Sequence, residues 1–174
     1  MTEKWRSAIE DSGIRYVQCR EEFQRADQAI TDFVEAYLKD IPPDQWTRHK
    51  MLFASQIPQC PALNKLIFDI EHAPSPPPVP VSRAAIDKAL ALGNALKAAR
   101  AELDDAGGNL NETVQKYMIS PEYRPGGEGL LEIISLLPRC SLRFRLFETY
   151  YEKYEVYPGT PPLKTPKKTK PPER

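Results

Sequence analysis

Ile9, Tyr16, Phe23, Ile30 and Tyr37 recur every seven residues, and seven residues are close to two turns of an α-helix. The stretch from Trp5 to Tyr37 therefore reads as one long helix carrying a row of large side chains. Trp5, Ser12, Cys19, Ala26 and Phe33 form the neighbouring row, which is mostly small and lets another helix approach closely. Ile14, Val17, Val34 and Leu38 fall outside both rows and widen the apolar face beyond the narrow seam of a two-stranded coil. That width predicts the core helix of a bundle, with self-association or capture of a partner helix as the other uses of the same face. Asp11-Ser12-Gly13 is the expected weak point, because glycine inside a helix costs about 1 kcal/mol relative to alanine.

Pro42 and Pro43 cannot continue this helix, and Asp44 is placed to cap the next one. Trp46, His49, Phe53 and Ile57 then recur at helical spacing as far as Pro58, and a third helix is expected from Pro61 to His72, with Leu63, Leu66, Ile67 and Ile70 on one face. Residues 74–81 are mostly proline, which favours an extended linker. Ser82 caps a fourth helix that the Asp104–Gly108 stretch is expected to end, and a fifth follows from Asn109 to Ile119. The glycine-rich turn after Arg124 opens onto Leu130, Leu131, Ile133, Ile134, Leu136 and Leu137, a run apolar all round and expected to be buried. Residues 141–157 alternate like a strand at first and then continue at helical spacing. No second strand is available to pair with them, so they read as helix.

The chain has 18 prolines against 8 glycines, and the excess sits in the linker and after Pro158. Its formal charge of zero hides an asymmetry. The segment from Thr160 holds Lys164, Lys167, Lys168, Lys170 and Arg174 against Glu173, so a basic tail balances a mildly acidic body. An acidic body argues against nucleic acid as the main partner, because such binding draws on counterion release at a basic face. Cys19, Cys60 and Cys140 are too few and too scattered for a disulfide framework or a zinc site. Together with a charged amino terminus and no bilayer-length apolar run, this predicts a cytoplasmic, reducing setting with no membrane partner, or a nuclear one in a eukaryote.

No motif reaches catalytic, cofactor-binding or metal-binding form. Gly126-Gly127-Glu128-Gly129 precedes a helix, but no Lys-Ser/Thr pair follows and Glu128 stands where an anion would sit. His49, Cys60 and His72 match no ligand or nucleophile spacing; His49 is expected on the rim of the second helix and His72 at the end of the third. Arg139, Arg143 and Arg145 interleaved with Phe144 and Phe147 have the make-up of a base-stacking surface, a pattern that also arises when aromatics face a core and arginines face water.

The expectation is an all-α bundle of six to seven helices: a helical half over 1–73, a linker over 74–81, a second half over 82–157 and a disordered basic tail over 158–174. The expected function is a non-enzymatic protein–protein interaction module, an adaptor, assembly subunit or regulator, with homo-oligomerisation open and no cofactor. Trp5, Trp46, Phe147, Tyr150, Tyr151 and Tyr154 are the candidate anchors. Pro77 and Pro80, followed by Arg83, have the spacing of a PxxP ligand. The alternative is a nucleic-acid accessory protein using Lys164, Lys167, Lys168 and Lys170 with the Arg/Phe stretch; an enzyme with an unrecognised site ranks behind both.

Overall fold

The computed structural model describes residues 1–71 and 81–154. Within them the chain is an all-α bundle of six helices: α1 Glu3–Leu38, α2 Trp46–Ala54, α3 Pro61–Glu71, α4 Arg83–Met118, α5 Gly127–Leu136 and α6 Ser141–Tyr154. A 3₁₀ turn, Pro43–Gln45, leads into α2, and no strand occurs among the described residues. The expected linker lies outside the described residues except for Val81, as do His72, the end of the last expected helix beyond Tyr154 and the whole basic tail.

The helix signals hold where they come from periodicity and change where they come from isolated breakers. α1 runs unbroken through Gly13, which is buried, so packing outweighs the cost of the glycine. α4 runs through Asp104–Gly108, where the sequence predicts a stop. There Ala106 and Leu110 are buried, Tyr16 of α1 lies over Gly107, and Arg15 pairs with Asp105 at 3.2 Å. Long-range packing thus holds a stretch that local propensity would release. Asp44 lies within the 3₁₀ turn instead of capping α2, whose N-cap is Gln45 without a side-chain bond. Ser82 does cap α4, its Oγ accepting from the Ala85 amide at 3.2 Å. α5 starts at Gly127 behind Gly126, whose φ of 157° suits glycine alone; Leu130, Ile133 and Ile134 are buried, while Leu131 and Leu136 are half-buried. Residues 141–154 are helix, as expected.

The chain divides into two compact units, one of residues 1–10 with 113–174 and one of residues 11–112. The divisions fall inside α1 and α4 and not at the proline-rich stretch, because residues from both sides of that stretch share one core. In the 11–112 unit, Ile30, Val34 and Leu38 of α1 cluster with Phe53, Ile57, Leu63 and Leu66 of the α2–α3 region and with Ala85, Ala89 and Leu96 of α4. With Arg15 paired to Asp105 at the other end, α1 and α4 run antiparallel in this unit. The unit of 1–10 and 113–154 has its own core of Leu130, Ile134 and Tyr150, with Leu131, Leu146, Phe147 and Tyr154 around it. In the same unit Trp5 stacks on Tyr117 at 5.6 Å and Arg6 reaches Glu132 at 3.6 Å.

The two halves of the chain, α1 to α3 and α4 to α6, follow one plan that does not coincide with the two units: a long helix and then a short helical hairpin, repeated eighty residues on. Glu3 and Leu38 bound α1 as Arg83 and Met118 bound α4, each helix having 36 residues. At the same offset Gly13 matches Gly93, Arg20 Arg100, Ala26 Ala106, Val34 Val114 and Tyr37 Tyr117. The hairpin connectors match too: Ser55, Pro58 and Cys60 correspond to Ser135, Pro138 and Cys140. In each, the cysteine caps the second short helix. Cys60 Sγ accepts from the Leu63 amide at 3.2 Å and Cys140 Sγ from the Arg143 amide at 3.4 Å. In the 11–112 unit Asp27 of α1 adds a second cap, its carboxylate accepting from the Ala62 amide at 3.1 Å.

Two positions in the 11–112 unit have measurable consequences. A Cβ at Gly93 would stand 2.6 Å from the Gln56 carbonyl oxygen and 3.1 Å from Pro58 Cδ. Gly93→Ala is therefore expected to lower unfolding free energy by about 1–3 kcal/mol in denaturant titration. His49 is 1% exposed, stacked near Tyr37 at 5.4 Å, with neither ring nitrogen hydrogen-bonded among the described residues, so it belongs to the core and not to the rim of α2. Burial lowers its pKa below the ordinary histidine value. Below about pH 6.5 the unfolded chain then takes up a proton that the folded chain refuses, and stability falls as pH falls. The thermal midpoint is expected to drop between pH 7.5 and 5.5, with a shallower slope in His49→Leu.

Candidate functional site

The end of α1, the start of α2 and the first turns of α3 enclose a cleft of about 250 Å³ in the 11–112 unit. Its floor is Val34, Leu38, Ala62 and Leu66, placed there by the helical spacing of α1 and α3. Trp46 forms one wall. The indole N–H of Trp46 already donates to the Ile41 carbonyl at 2.8 Å, so what the 38% exposed ring offers a ligand is its apolar face. Lys39, Lys50 and Lys65 stand at the rim, with Glu35 the one carboxylate among the lining residues; Glu35 lies 3.5 Å from Lys65. An apolar floor beneath a surplus of ammonium groups suits an apolar side chain flanked by carboxylates.

A second surface lies on α6 in the other unit. Cys140, Phe144, Phe147 and Tyr151, spaced by four, three and four, form one row along that helix. Phe144 is 66% and Tyr151 45% exposed, whereas Phe147 is half-buried against the core of its unit. Among the described residues the surrounding hollow is lined by residues from Arg139 to Glu152, and one helix cannot enclose a cavity, so among those residues this is an open face. Glu148 and Glu152 share it with Arg145. Arg143 is turned to the Leu137 carbonyl at 3.2 Å. A face of mixed sign fits a base-stacking platform poorly.

The candidate anchors thus fall in different settings. Trp46 walls the cleft and Tyr151 lies on the α6 face, while Phe147, Tyr150 and Tyr154 belong to the core around Leu130 and Ile134. Trp5 is half-buried on Tyr117, its Nε1 enclosed without a hydrogen-bond partner among the described residues. Arg83 is exposed in the first turn of α4; Pro77, Pro80, Lys164, Lys167, Lys168 and Lys170 lie outside the described residues. His49 and Cys60 do not form a reactive pair, because neither imidazole nitrogen has a partner among the described residues and the thiol caps α3. Among the described residues no three His, Cys, Asp or Glu side chains gather as metal ligands. Nor does any described helix have the length and apolarity to cross a membrane.

The lysine rim was not among the sequence candidates, because it forms no motif, and Phe144 was singled out only as part of the Arg/Phe stretch. The eighty-residue repeat sets Trp46 against Gly126 and Phe144 against Asn64 and so marks where one fold carries different surfaces. Comparison with protein-family models, with curated proteins and with solved structures finds no match.

The three free cysteines report on this geometry. Cys140 is half-buried, Cys19 and Cys60 are buried, and burial pushes the Cys60 thiol up, with the Asp27 carboxylate adding to the shift. A colourimetric thiol reagent at pH 8 is expected to label Cys140 first and Cys60 last in the folded chain, and all three together in denaturant.

Proposed function

We propose that this protein is a non-enzymatic interaction module that receives an acidic, amphipathic segment of a partner protein in the cleft between α1, α2 and α3. The observation that carries this reading is the exposed face of Trp46, its polar atom already satisfied, standing over an apolar floor inside a lysine-rich rim. A cleft of about 250 Å³ has room for a large apolar anchor side chain but is small for a drug-sized substrate. The rim selects by charge. Lys39, Lys50 and Lys65 outnumber Glu35, so carboxylates beside the anchor are attracted and the chain's own basic tail is repelled. Three cysteines with no disulfide among them fit a reducing, cytoplasmic setting.

The chain has two tryptophans, so Trp5→Phe leaves Trp46 as the sole indole reporter. Titration with a synthetic helical peptide carrying Leu and Phe every three to four residues among glutamates is expected to give a saturable change in Trp46 emission. The affinity should fall with added salt and by about tenfold or more in Lys39→Glu/Lys65→Glu. An equal response to a peptide with lysines in place of the glutamates, or no response to either, would refute the proposal.

A further inference from the structure

The two repeats, α1 to α3 and α4 to α6, supply an internal control for the α6 face. At the position equivalent to Phe144 the other unit has Asn64, exposed in the corresponding helix α3, so the repeated fold does not require an apolar side chain there. The chain nevertheless places a phenylalanine at that point, 66% exposed, in one row with the 45% exposed Tyr151. Around the row the charges are ordered. Arg145, Glu148 and Glu152 lie along one side of it, the base toward the start of the helix and the two acids toward its end. Arg143, on the other side, is engaged with the Leu137 carbonyl.

We propose that this face is a self-association surface on which α6 of a second copy docks antiparallel about a twofold axis. In an antiparallel pair with a twofold perpendicular to the helices, each side of the row meets the same side of the other copy. An axis passing between Phe147 and Glu148 sets Phe144 against Tyr151 of the partner subunit. It sets Arg145 between Glu148 of the partner subunit and Glu152 of the partner subunit, and repeats both contacts in reverse. A parallel pair would bring the Arg145 side against the Arg143 side at similar height, cation against cation. The opposed dipoles of antiparallel helices favour the same choice. One face of a 14-residue helix is smaller than the standard size of a specific interface, so the pairing is weak, with a dissociation constant on the order of 100 µM.

Sedimentation velocity of the full chain across roughly 5–500 µM tests this, with circular dichroism and thermal midpoints as controls. A concentration-dependent monomer–dimer equilibrium is expected. Phe144→Asn, the residue of the equivalent position, should weaken it by about tenfold without changing the thermal midpoint. Arg145→Glu should weaken it by roughly twofold to fivefold, and Arg145→Glu/Glu148→Arg/Glu152→Arg should recover it, because the reversed pattern is again self-complementary. A chain that stays monomeric to 500 µM overturns the proposal, as does a dimer indifferent to Phe144→Asn or one that the triple reversal weakens further. Should Phe144→Asn lose its fold, loss and recovery across the charge series decides alone. The cleft lies on other helices, so peptide binding followed through Trp46 should be equal in all these variants, and failure of either proposal leaves the other standing.

Discussion

The approach of the Ile57–Pro58 connector to the backbone of α4 at Gly93 is the contact on which the 11–112 unit depends. α2 and α3 have 9 and 11 residues, lengths at which isolated helices are marginal in water. They persist because the connector lies where α4 has no side chain, which brings Phe53, Ile57 and Leu63 into one cluster with Ala85, Ala89 and Leu96. Cys60 and Asp27 then satisfy amides at the start of α3 that would otherwise be buried without partners. The floor of the cleft is the outer edge of that cluster, and Trp46 stands above it because Ile41 holds the indole N–H.

Periodicity in the sequence was enough to specify the helices, since Ile9 through Tyr37, Leu63 with Leu66, and the run from Leu130 to Leu136 all lie on elements of the expected type. What was not legible depends on distant partners. Gly107 and Gly108 look like a terminus until Tyr16, far earlier in the chain, is known to cover Gly107. His49 looks like a surface residue until Tyr37 closes over it. Ile14, read as part of the apolar face, is exposed, because the widened face applies to Val34 and Leu38 and not to the whole helix.

The repeat was legible and is easily passed over. Its identities are scattered among helix positions where any large apolar residue serves, as when Phe53 stands for Ile133 or Ile30 for Leu110. The connector is the better marker, because Ser55-Gln56-Ile57-Pro58-Gln59-Cys60 and Ser135-Leu136-Leu137-Pro138-Arg139-Cys140 need proline and cysteine for the same turn and the same cap. Once the frame is set, the differences between the repeats become informative. Trp46 and Lys39 against Gly126 and Ile119, and Asn64 against Phe144, are places where one backbone plan serves two surfaces.

The division of the chain also bears on how it is made. The larger unit is continuous in sequence, so it can close as soon as residue 112 is free of the ribosome. The other unit joins residues 1–10 to helices that end at Tyr154. Trp5 therefore waits for Tyr117, and at ~5–20 residues per second that wait is on the order of ten seconds. During synthesis the first turns of α1, with Trp5 and Ile9, are an apolar segment without its native cover, the part of the nascent chain most in need of protection.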